Sequence, residues 1–101
     1  MPSPWDIEFR PKAAKAFERL DPVVRKQLAR KLAERRNNPR VQAAGLRELP
    51  DCYKIKLRAQ GVRCVYQVQD RRLVILILAI GKRERDEAYR LAAHELATDD
   101  D

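Results

Sequence analysis

The sequence predicts an α+β fold in which a small antiparallel sheet carries an N-terminal αα-hairpin and a C-terminal helix. Before residue 40 and after residue 83, apolar residues recur at the three- and four-residue spacing of helices. Between residues 53 and 80 they alternate with polar residues or run without interruption, which is the pattern of strands. The predicted order is β-α-α-β-β-β-α, with the helices expected on one face of the sheet.

The first 40 residues are predicted to form a strand and then a helical hairpin. Residues 5–9 alternate apolar and acidic side chains, which indicates a short strand. Pro11 opens the first helix, at a position where its missing N–H costs little. Asp21 followed by Pro22 predicts a capping side chain and the start of a second helix, which is expected to run to about Arg36. The two helices therefore meet at a short joint.

Three consecutive strands are predicted after a loop. Residues 53–57 and 62–68 alternate between two faces, whereas residues 73–80 are apolar throughout, as expected of a central strand covered on both faces. Because the turns between these strands are short, they should form an antiparallel meander. Gly81 is expected to end the last strand, and the final helix should begin within residues 83–86.

The charge of the chain indicates an anionic partner. Lysine and arginine outnumber aspartate and glutamate by 22 to 15, for a formal net charge of +7, and the last three residues are all aspartate. A basic surface attracts polyanions, of which nucleic acid is the commonest. The alternative is a charged surface that serves solubility alone.

Length and apolar runs limit the class of protein further. The 101 residues predict a single domain over 1–101, with an acidic tail over about 97–101. No secretory signal is apparent, and the longest apolar run, residues 73–80, is too short to cross a bilayer. A cytoplasmic protein with no membrane partner is therefore expected.

The usual signatures of metal-dependent or nucleophilic enzymes are absent from the sequence. It contains no glycine-rich phosphate loop, no HExxH and no CxxC. Cys52 and Cys64 are expected to be packed, reduced side chains, and no metal or other cofactor is predicted. His94 is expected at the surface or at a helix end, and one histidine cannot form a ribonuclease-type pair within the chain.

A concentration of cations around the predicted sheet is the candidate for chemistry. Lys54 and Lys56 share one face of a strand, with Cα atoms about 7 Å apart, so one phosphodiester could touch both. Arg63 follows on the next strand, Arg83 at the exit of the central strand, and Tyr89 on the last helix. Cleavage of RNA through its own 2′-hydroxyl needs a base, cations and an acid. The alternative is an ordinary solvated face of a half-exposed sheet.

Three segments resemble a known family. LPDCYKIKLR at residues 49–58, GVRCVYQV at 61–68, and GKRER at 81–85 followed by Tyr89 are similar to segments of the RelE toxins of RelBE toxin–antitoxin systems. The resemblance extends upstream through the helical hairpin. It implies a ribosome-dependent endoribonuclease that cleaves messenger RNA in the ribosomal A site, leaves a 2′,3′-cyclic phosphate and inhibits translation. It also implies a RelB-like antitoxin, with operator DNA bound only through the antitoxin complex.

The resemblance places the catalytic set at Lys54, Lys56, Arg63, Arg83 and Tyr89, all of which are present. In our interpretation Lys56 is the general base, Lys54 and Arg63 hold the phosphate, Arg83 serves the leaving oxygen, and Tyr89 stacks on a base. The rival class is a non-enzymatic toxin of the ParE type, which has a similar architecture but acts on DNA gyrase. Such chains do not generally keep the full set.

Further cations are candidates for contact with RNA or the ribosome, although those on the second helix could equally form an ordinary solvated face. They are Arg25, Lys26, Arg30, Lys31, Arg35, Arg36, Arg47 and Lys82.

Overall fold

The structure is a computed structural model, in which residues 3–98 are described. Its elements are β1 (Asp6–Phe9), α1 (Pro11–Arg19), α2 (Pro22–Asn37), β2 (Cys52–Leu57), β3 (Val62–Gln69), β4 (Val74–Lys82) and α3 (Glu87–Ala97), with 3₁₀ turns at Gln42–Ala44 and Glu84–Asp86. The predicted α+β class and element order are confirmed. The aspartates at 99–101, which form most of the predicted acidic tail, lie outside the described residues.

The sheet has the strand order β1-β4-β3-β2. The predicted antiparallel meander of β2, β3 and β4 is confirmed. β1 departs from it, because it runs parallel to β4, with Asp6 opposite Val74 and Phe9 opposite Ile77. The sheet is therefore mixed. Parallel strands need a long crossover connection rather than a tight turn. The helical hairpin between β1 and β2 supplies this crossover and so allows β1 to run parallel to β4.

The helices cover both faces of the sheet, so the prediction that they lie on one face is wrong. On one face, Ala13, Leu28 and Leu32 of α1 and α2 pack in a cluster with Ile77. On the other, Ala88 and Ala92 of α3 pack in a cluster with Val65, Leu76 and Leu78. The physical reason is β4, in which every residue from 74 to 80 is buried. Such a strand needs apolar cover on both sides.

A β-bulge in β4 resets which side chains face α3. Val65 pairs with Ala79 but the next residue, Tyr66, pairs with Ile77, so Leu78 is the extra residue. Leu78 and Ala79 consequently both join the cluster beneath α3. The strand then continues to Lys82, because its antiparallel pairing with β3 continues that far, and the prediction that it ends at Gly81 is wrong.

Two contacts hold α3 against the rest of the fold. Gly81 lies so close to α3 that a Cβ placed there would be 3.1 Å from the backbone nitrogen of Ala88. At the other end of the helix, Arg10 Nε donates to Oε1 of Glu95 at 3.1 Å, and Glu95 is buried. These contacts determine where Tyr89 is held, because that residue lies between them on the same helix.

The structure shows the state of the cysteines, of His94 and of the start of α2. Cys52 and Cys64 are free and buried, and His94 is exposed near the end of α3, as predicted. Pro22 occupies the first turn of α2, but within residues 3–98 the Asp21 side chain forms no capping hydrogen bond, so that part of the prediction is wrong. None of the helices in the described part of the chain is long and apolar enough to span a membrane.

Replacement of Gly81 by alanine tests the close approach of α3. We expect Gly81→Ala to lower the free energy of unfolding by about 1–3 kcal/mol, because the new methyl group would crowd the Ala88 backbone, which can give way only if α3 shifts. Urea unfolding followed by circular dichroism measures the change. The matched control is Gly45→Ala, where the nearest atom to the new Cβ is at 3.5 Å and the change should be within about 0.5 kcal/mol. Equal stability of the two variants would contradict the proposed packing.

Candidate functional site

Three of the five candidate residues lie on the α3 face of the sheet. Ile55 and Leu57 pack into the core beneath α1 and α2, so the alternating Lys54 and Lys56 point to the opposite face. Arg63 lies directly across from Lys56 in the antiparallel pairing of β2 with β3. The predicted common face of Lys54 and Lys56 is therefore confirmed, and the pairing of β2 with β3 adds Arg63 to it.

Arg83 reaches the same region by way of the β2–β3 turn. Gly61 in that turn has a φ of +65°, and its carbonyl accepts a hydrogen bond from the Arg83 backbone N–H at 2.9 Å. The Arg83 side chain lies over the glycine, and a Cβ at Gly61 would be 3.7 Å from Arg83 Nε. A cavity of about 160 Å³ is lined by Lys56, Arg58, Arg63 and Arg83 together with their turn.

Tyr89 joins the group through Arg63. The guanidinium carbon of Arg63 lies 5.9 Å from the centroid of the Tyr89 ring, within the range of a cation–π contact. Nη1 of Arg63 is also 4.0 Å from Oδ1 of Asp86. Because it is packed in this way, the Arg63 side chain is only 23% exposed. Arg63 thus connects the sheet to the start of α3.

A larger cavity of about 480 Å³ lies between α3 and the segment before β2. Lys54 and Tyr89 line it, and so does Arg47, one of the further cations predicted to bind RNA. Leu46 and Leu49 supply apolar wall. The two cavities meet at Arg63, which lines the smaller one and contacts Tyr89 of the larger one. The five candidate residues therefore line two neighbouring cavities that are linked by the contact of Arg63 with Tyr89, and we call this pair of cavities the cationic concavity.

The sequence reasoning missed three charged residues of the larger cavity. Glu48, Asp86 and Arg90 all line it. One signal was available for Asp86, since it is an acid that directly follows the basic GKRER motif. No comparable signal marks Glu48 and Arg90, because only the folded chain brings the loop before β2 to α3.

The crowding of cations lowers the pKa of the Lys56 ammonium below its usual value. The nearby charge of Lys54 is the largest cause, followed by desolvation and then by the charges of Arg63 and Arg58. Each cation disfavours a further positive charge beside it. A lysine whose pKa falls toward neutrality supplies more of the unprotonated amine, which is the form that can act as a base.

The second helix lies on the other side of the sheet, and two of its arginines contact the fold. Arg35 Nη1 donates to the Tyr66 hydroxyl at 2.8 Å, and this hydroxyl donates in turn to the carbonyl of Pro39. Arg36 Nε donates to the carbonyl of Trp5 at 2.8 Å. These contacts explain the two arginines without RNA, so they have a structural role that the sequence did not reveal.

The other predicted RNA-binding cations fall in separate places. Lys26, Arg30 and Lys31 are exposed on α2, while Arg25 donates to the carbonyl of Glu18. Lys82 is exposed at the end of β4, where it lines a shallow cavity beside α1. These residues do not border the concavity described above. Their contact with RNA or the ribosome stays a prediction.

Within residues 3–98, no cluster of three or more histidine, cysteine, aspartate or glutamate side chains could hold a metal ion.

Comparison with known families and proteins gives a consistent result. The family described as "ParE toxin of type II toxin-antitoxin system, parDE" matches residues 7–87. The mRNA interferase toxin RelE of Escherichia coli strain K12 is 46% identical over 90 residues, which cover 89% of this chain and 95% of the relative. The mRNA interferase RelE of Shigella flexneri matches to the same extent.

Solved structures agree with these matches. The free state of an E. coli RelE mutant has a TM-score of 0.85 and 42% identity, covering 91% of this chain and 97% of that one. RelE in the intact E. coli RelBE toxin–antitoxin complex has a TM-score of 0.77 and 46% identity, covering 80% and 99%.

The fold and the matches define a class of protein, the toxins of type II toxin–antitoxin systems. The chain belongs to the RelE/ParE family of these toxins, on its RelE side. The family description carries the ParE name, whereas the relatives at 46% identity are RelE proteins; the near full-length identity decides the branch. The resemblance found in the sequence is therefore confirmed.

Titration of Lys56 tests the electrostatics of the site. In an NMR titration of lysine side chains, Lys54→Gln should raise the pKa of Lys56 toward its usual value, because it removes the largest cause of the lowering. The control is Lys12→Gln, which removes an exposed charge on α1 and should leave the pKa of Lys56 unchanged. If both variants leave Lys56 at its parental pKa, the described arrangement of cations is wrong.

Proposed function

We propose that this protein is a ribosome-dependent endoribonuclease toxin that cleaves messenger RNA in the ribosomal A site. The observation that carries the proposal is the placement of Lys54, Lys56, Arg63, Arg83 and Tyr89 around the cationic concavity, two neighbouring cavities that the contact of Arg63 with Tyr89 links. Relatives named mRNA interferase RelE, at 46% identity, support the same activity.

In the proposed reaction, Lys56 acts as the general base. Its unprotonated amine removes the proton of the 2′-hydroxyl, and the 2′-oxygen attacks the adjacent phosphorus. The bond from phosphorus to the 5′-oxygen then breaks, which leaves a 2′,3′-cyclic phosphate and a 5′-hydroxyl once the leaving oxygen is protonated. The RNA supplies its own nucleophile, so the protein's part is proton transfer and charge stabilisation, and we propose that no metal ion is needed.

The arginines and Lys54 stabilise the charge that develops on the phosphate. Lys54 and Arg63 flank Lys56, one on the same strand and one across the sheet, so they are suited to hold the non-bridging oxygens. Arg83 neutralises the charge on the leaving 5′-oxygen. It is a poor proton donor, because arginine stays protonated above about pH 12. The proton of the 5′-hydroxyl therefore comes from solvent or from the ribosome.

Tyr89 is proposed to position a nucleotide by stacking. Arg63 lies over one face of the Tyr89 ring, so a nucleobase would stack on the opposite face, in the larger cavity. Stacking of a base on an aromatic ring is worth about 1–3 kcal/mol and does not depend strongly on which base is bound. The site has no strong acid–base pair, so positioning of the nucleotide has to supply much of the rate of cleavage.

The ribosome is proposed to complete the site by ordering its substrate. The concavity is open and Arg83 is exposed, so free RNA could bind in many orientations. Messenger in the A site has a fixed path, which supplies the geometry that the protein alone does not impose.

We further propose a cytoplasmic protein that acts as one domain and has a RelB-like antitoxin, since RelE is solved together with RelB. Operator DNA would be bound only by the toxin–antitoxin complex.

Single-turnover cleavage of ribosome-bound messenger tests the proposed site. Replacement of Lys54, Arg63 or Arg83 by alanine should slow cleavage by about 10²–10³, the usual cost of one lost contact to a developing oxyanion. Lys56→Ala removes the general base and should slow cleavage by about 10²–10⁴. Tyr89→Ala should slow it as well, by loss of orientation. Lys12→Ala is the matched control and should cut at the parental rate, because Lys12 is exposed on α1.

The same assay separates the candidate functions. Naked RNA should be cut far more slowly than ribosome-bound messenger, and a gyrase supercoiling assay should show no inhibition. If all five variants bind ribosomes and cut within about tenfold of the parent, the site is wrong. Inhibition of gyrase without cleavage of messenger would instead support the ParE-type function, which the family description names.

The pH dependence of cleavage tests the role of Lys56. The rate should rise with pH as Lys56 loses its proton and level off above its pKa, which lies below the usual value for lysine. Lys54→Gln should move this rise to higher pH, because the pKa of Lys56 then increases. A Lys56→Ala protein should lose the rise altogether. A rise that persists unchanged in Lys56→Ala would assign the base to another group.

A further inference from the structure

An acidic side chain lies inside the cationic concavity. Oδ1 of Asp86 is 4.0 Å from Nη1 of Arg63, and Asp86 lines the larger cavity together with Lys54 and Tyr89. Arg63 is one of the groups proposed to hold the scissile phosphate. A carboxylate and a phosphodiester are both monoanions with two oxygens that accept hydrogen bonds from a guanidinium group. Asp86 therefore lies where it competes with the substrate.

The backbone shows that this placement is specific. Asp86 precedes the first residue of α3, where an aspartate ordinarily accepts a hydrogen bond from the helix N-terminus. Among the described residues it makes no such cap, and both Arg85 and Asp86 have left-handed backbones, with φ of 56° and 53°. Left-handed conformations cost free energy for residues such as arginine, whereas aspartate and asparagine adopt them more readily. Asp86 thus lacks its usual local role, and its carboxylate is directed to Arg63.

Neighbouring contacts hold the strained turn in place. Arg90 Nε donates to the carbonyl of Arg85 at 3.0 Å, and the Glu87 carboxylate accepts the backbone N–H of Lys82 at 3.3 Å. The side chains of the Arg63–Asp86 ion pair differ in how tightly they are packed. Arg63 is 23% exposed and packed on Tyr89, whereas Asp86 is 70% exposed. When an RNA phosphate arrives, Asp86 is the partner that can turn away.

We propose that Asp86 is a positioning residue that occupies the phosphate-binding guanidinium of Arg63 in the RNA-free protein and is displaced by the RNA phosphodiester. This inference rests on the proposed function and deepens it. Free RNA has to displace the carboxylate with its own binding energy alone. Messenger held by the ribosome meets the same competition, but its phosphate is already in place. Asp86 therefore lowers affinity for free RNA more than it lowers cleavage on the ribosome.

Binding of a non-cleavable RNA tests the inference. The probe is a short single-stranded RNA with 2′-O-methyl groups, titrated into the full chain without ribosomes. Asp86→Asn should bind it about two- to fivefold more tightly, the range for one exposed ion pair. Asparagine keeps the size of the side chain and tolerates the left-handed backbone, so the fold should be retained, as urea unfolding would verify. The matched control is Glu84→Gln, which removes a charge from the same turn and should have a smaller effect.

Two further measurements separate a direct contact with Arg63 from a general change of charge. In an Arg63→Gln background, Asp86→Asn should no longer improve binding, because the competition is for that guanidinium. The plot of log affinity against log salt should also become steeper in Asp86→Asn, by up to about 0.7 for one additional uncompensated cation. On ribosome-bound messenger, KM should fall while kcat stays near the parental value.

Three results would overturn the inference. The first is equal affinity of Asp86→Asn and Glu84→Gln for RNA. The second is a gain in RNA affinity from Asp86→Asn that persists in the Arg63→Gln background. The third is the absence of RNA binding by both the parent and Asp86→Asn at low salt. If ribosome-bound messenger is still cut in these cases, the proposed function stands without the inference. If Asp86 governs RNA affinity in a protein that does not cut messenger, the inference stands as a property of RNA binding and the proposed function fails.

Discussion

Burial of β4 on both faces is the constraint on which the rest of the structure depends. Every residue from 74 to 80 is removed from solvent, so the strand needs an apolar layer above and below it. The helical hairpin supplies one layer and α3 the other. Because α3 has to lie over the sheet, Tyr89 comes to lie beside Arg63. A packing requirement of the core thus sets the geometry of the candidate site at the surface.

Several positive charges lie close together in the candidate site. Lys54 and Lys56 lie on the edge strand β2, and Arg83 is exposed, so solvent and salt screen part of the repulsion between these cations. The remaining repulsion, with a contribution from desolvation, lowers the pKa of Lys56. An isolated lysine on the same strand would have an ordinary pKa and little value as a base at neutral pH.

The sequence predicted those features that depend on local periodicity. Alternation in residues 53–57 was sufficient to place Lys54 and Lys56 on one face, and Pro22 marked the joint of the hairpin. The position of Arg63 on the same face follows only from the register of β2 with β3. It could not predict the side of the sheet that α3 covers, since a continuous apolar run such as residues 74–80 has no preferred face. The parallel pairing of β1 was also hidden, because no turn connects it to β4. Arg35 was assigned to the surface because its partner, Tyr66, lies far away along the chain.

The parallel contact between β1 and β4 has a consequence for the order of assembly. The pairs β2–β3 and β3–β4 are joined by short turns, so their contacts close small loops, whereas Asp6–Phe9 meets its partner strand only after most of the chain has been made. Contacts that close large loops carry a greater entropic cost and tend to form late. The meander that carries Lys54, Lys56, Arg63 and Arg83 can therefore take shape before β1 docks. Pairing of β1 with β4 then stabilises a surface that has already formed. Weakening this pairing would shorten the lifetime of the native state more than it would change the shape of that surface.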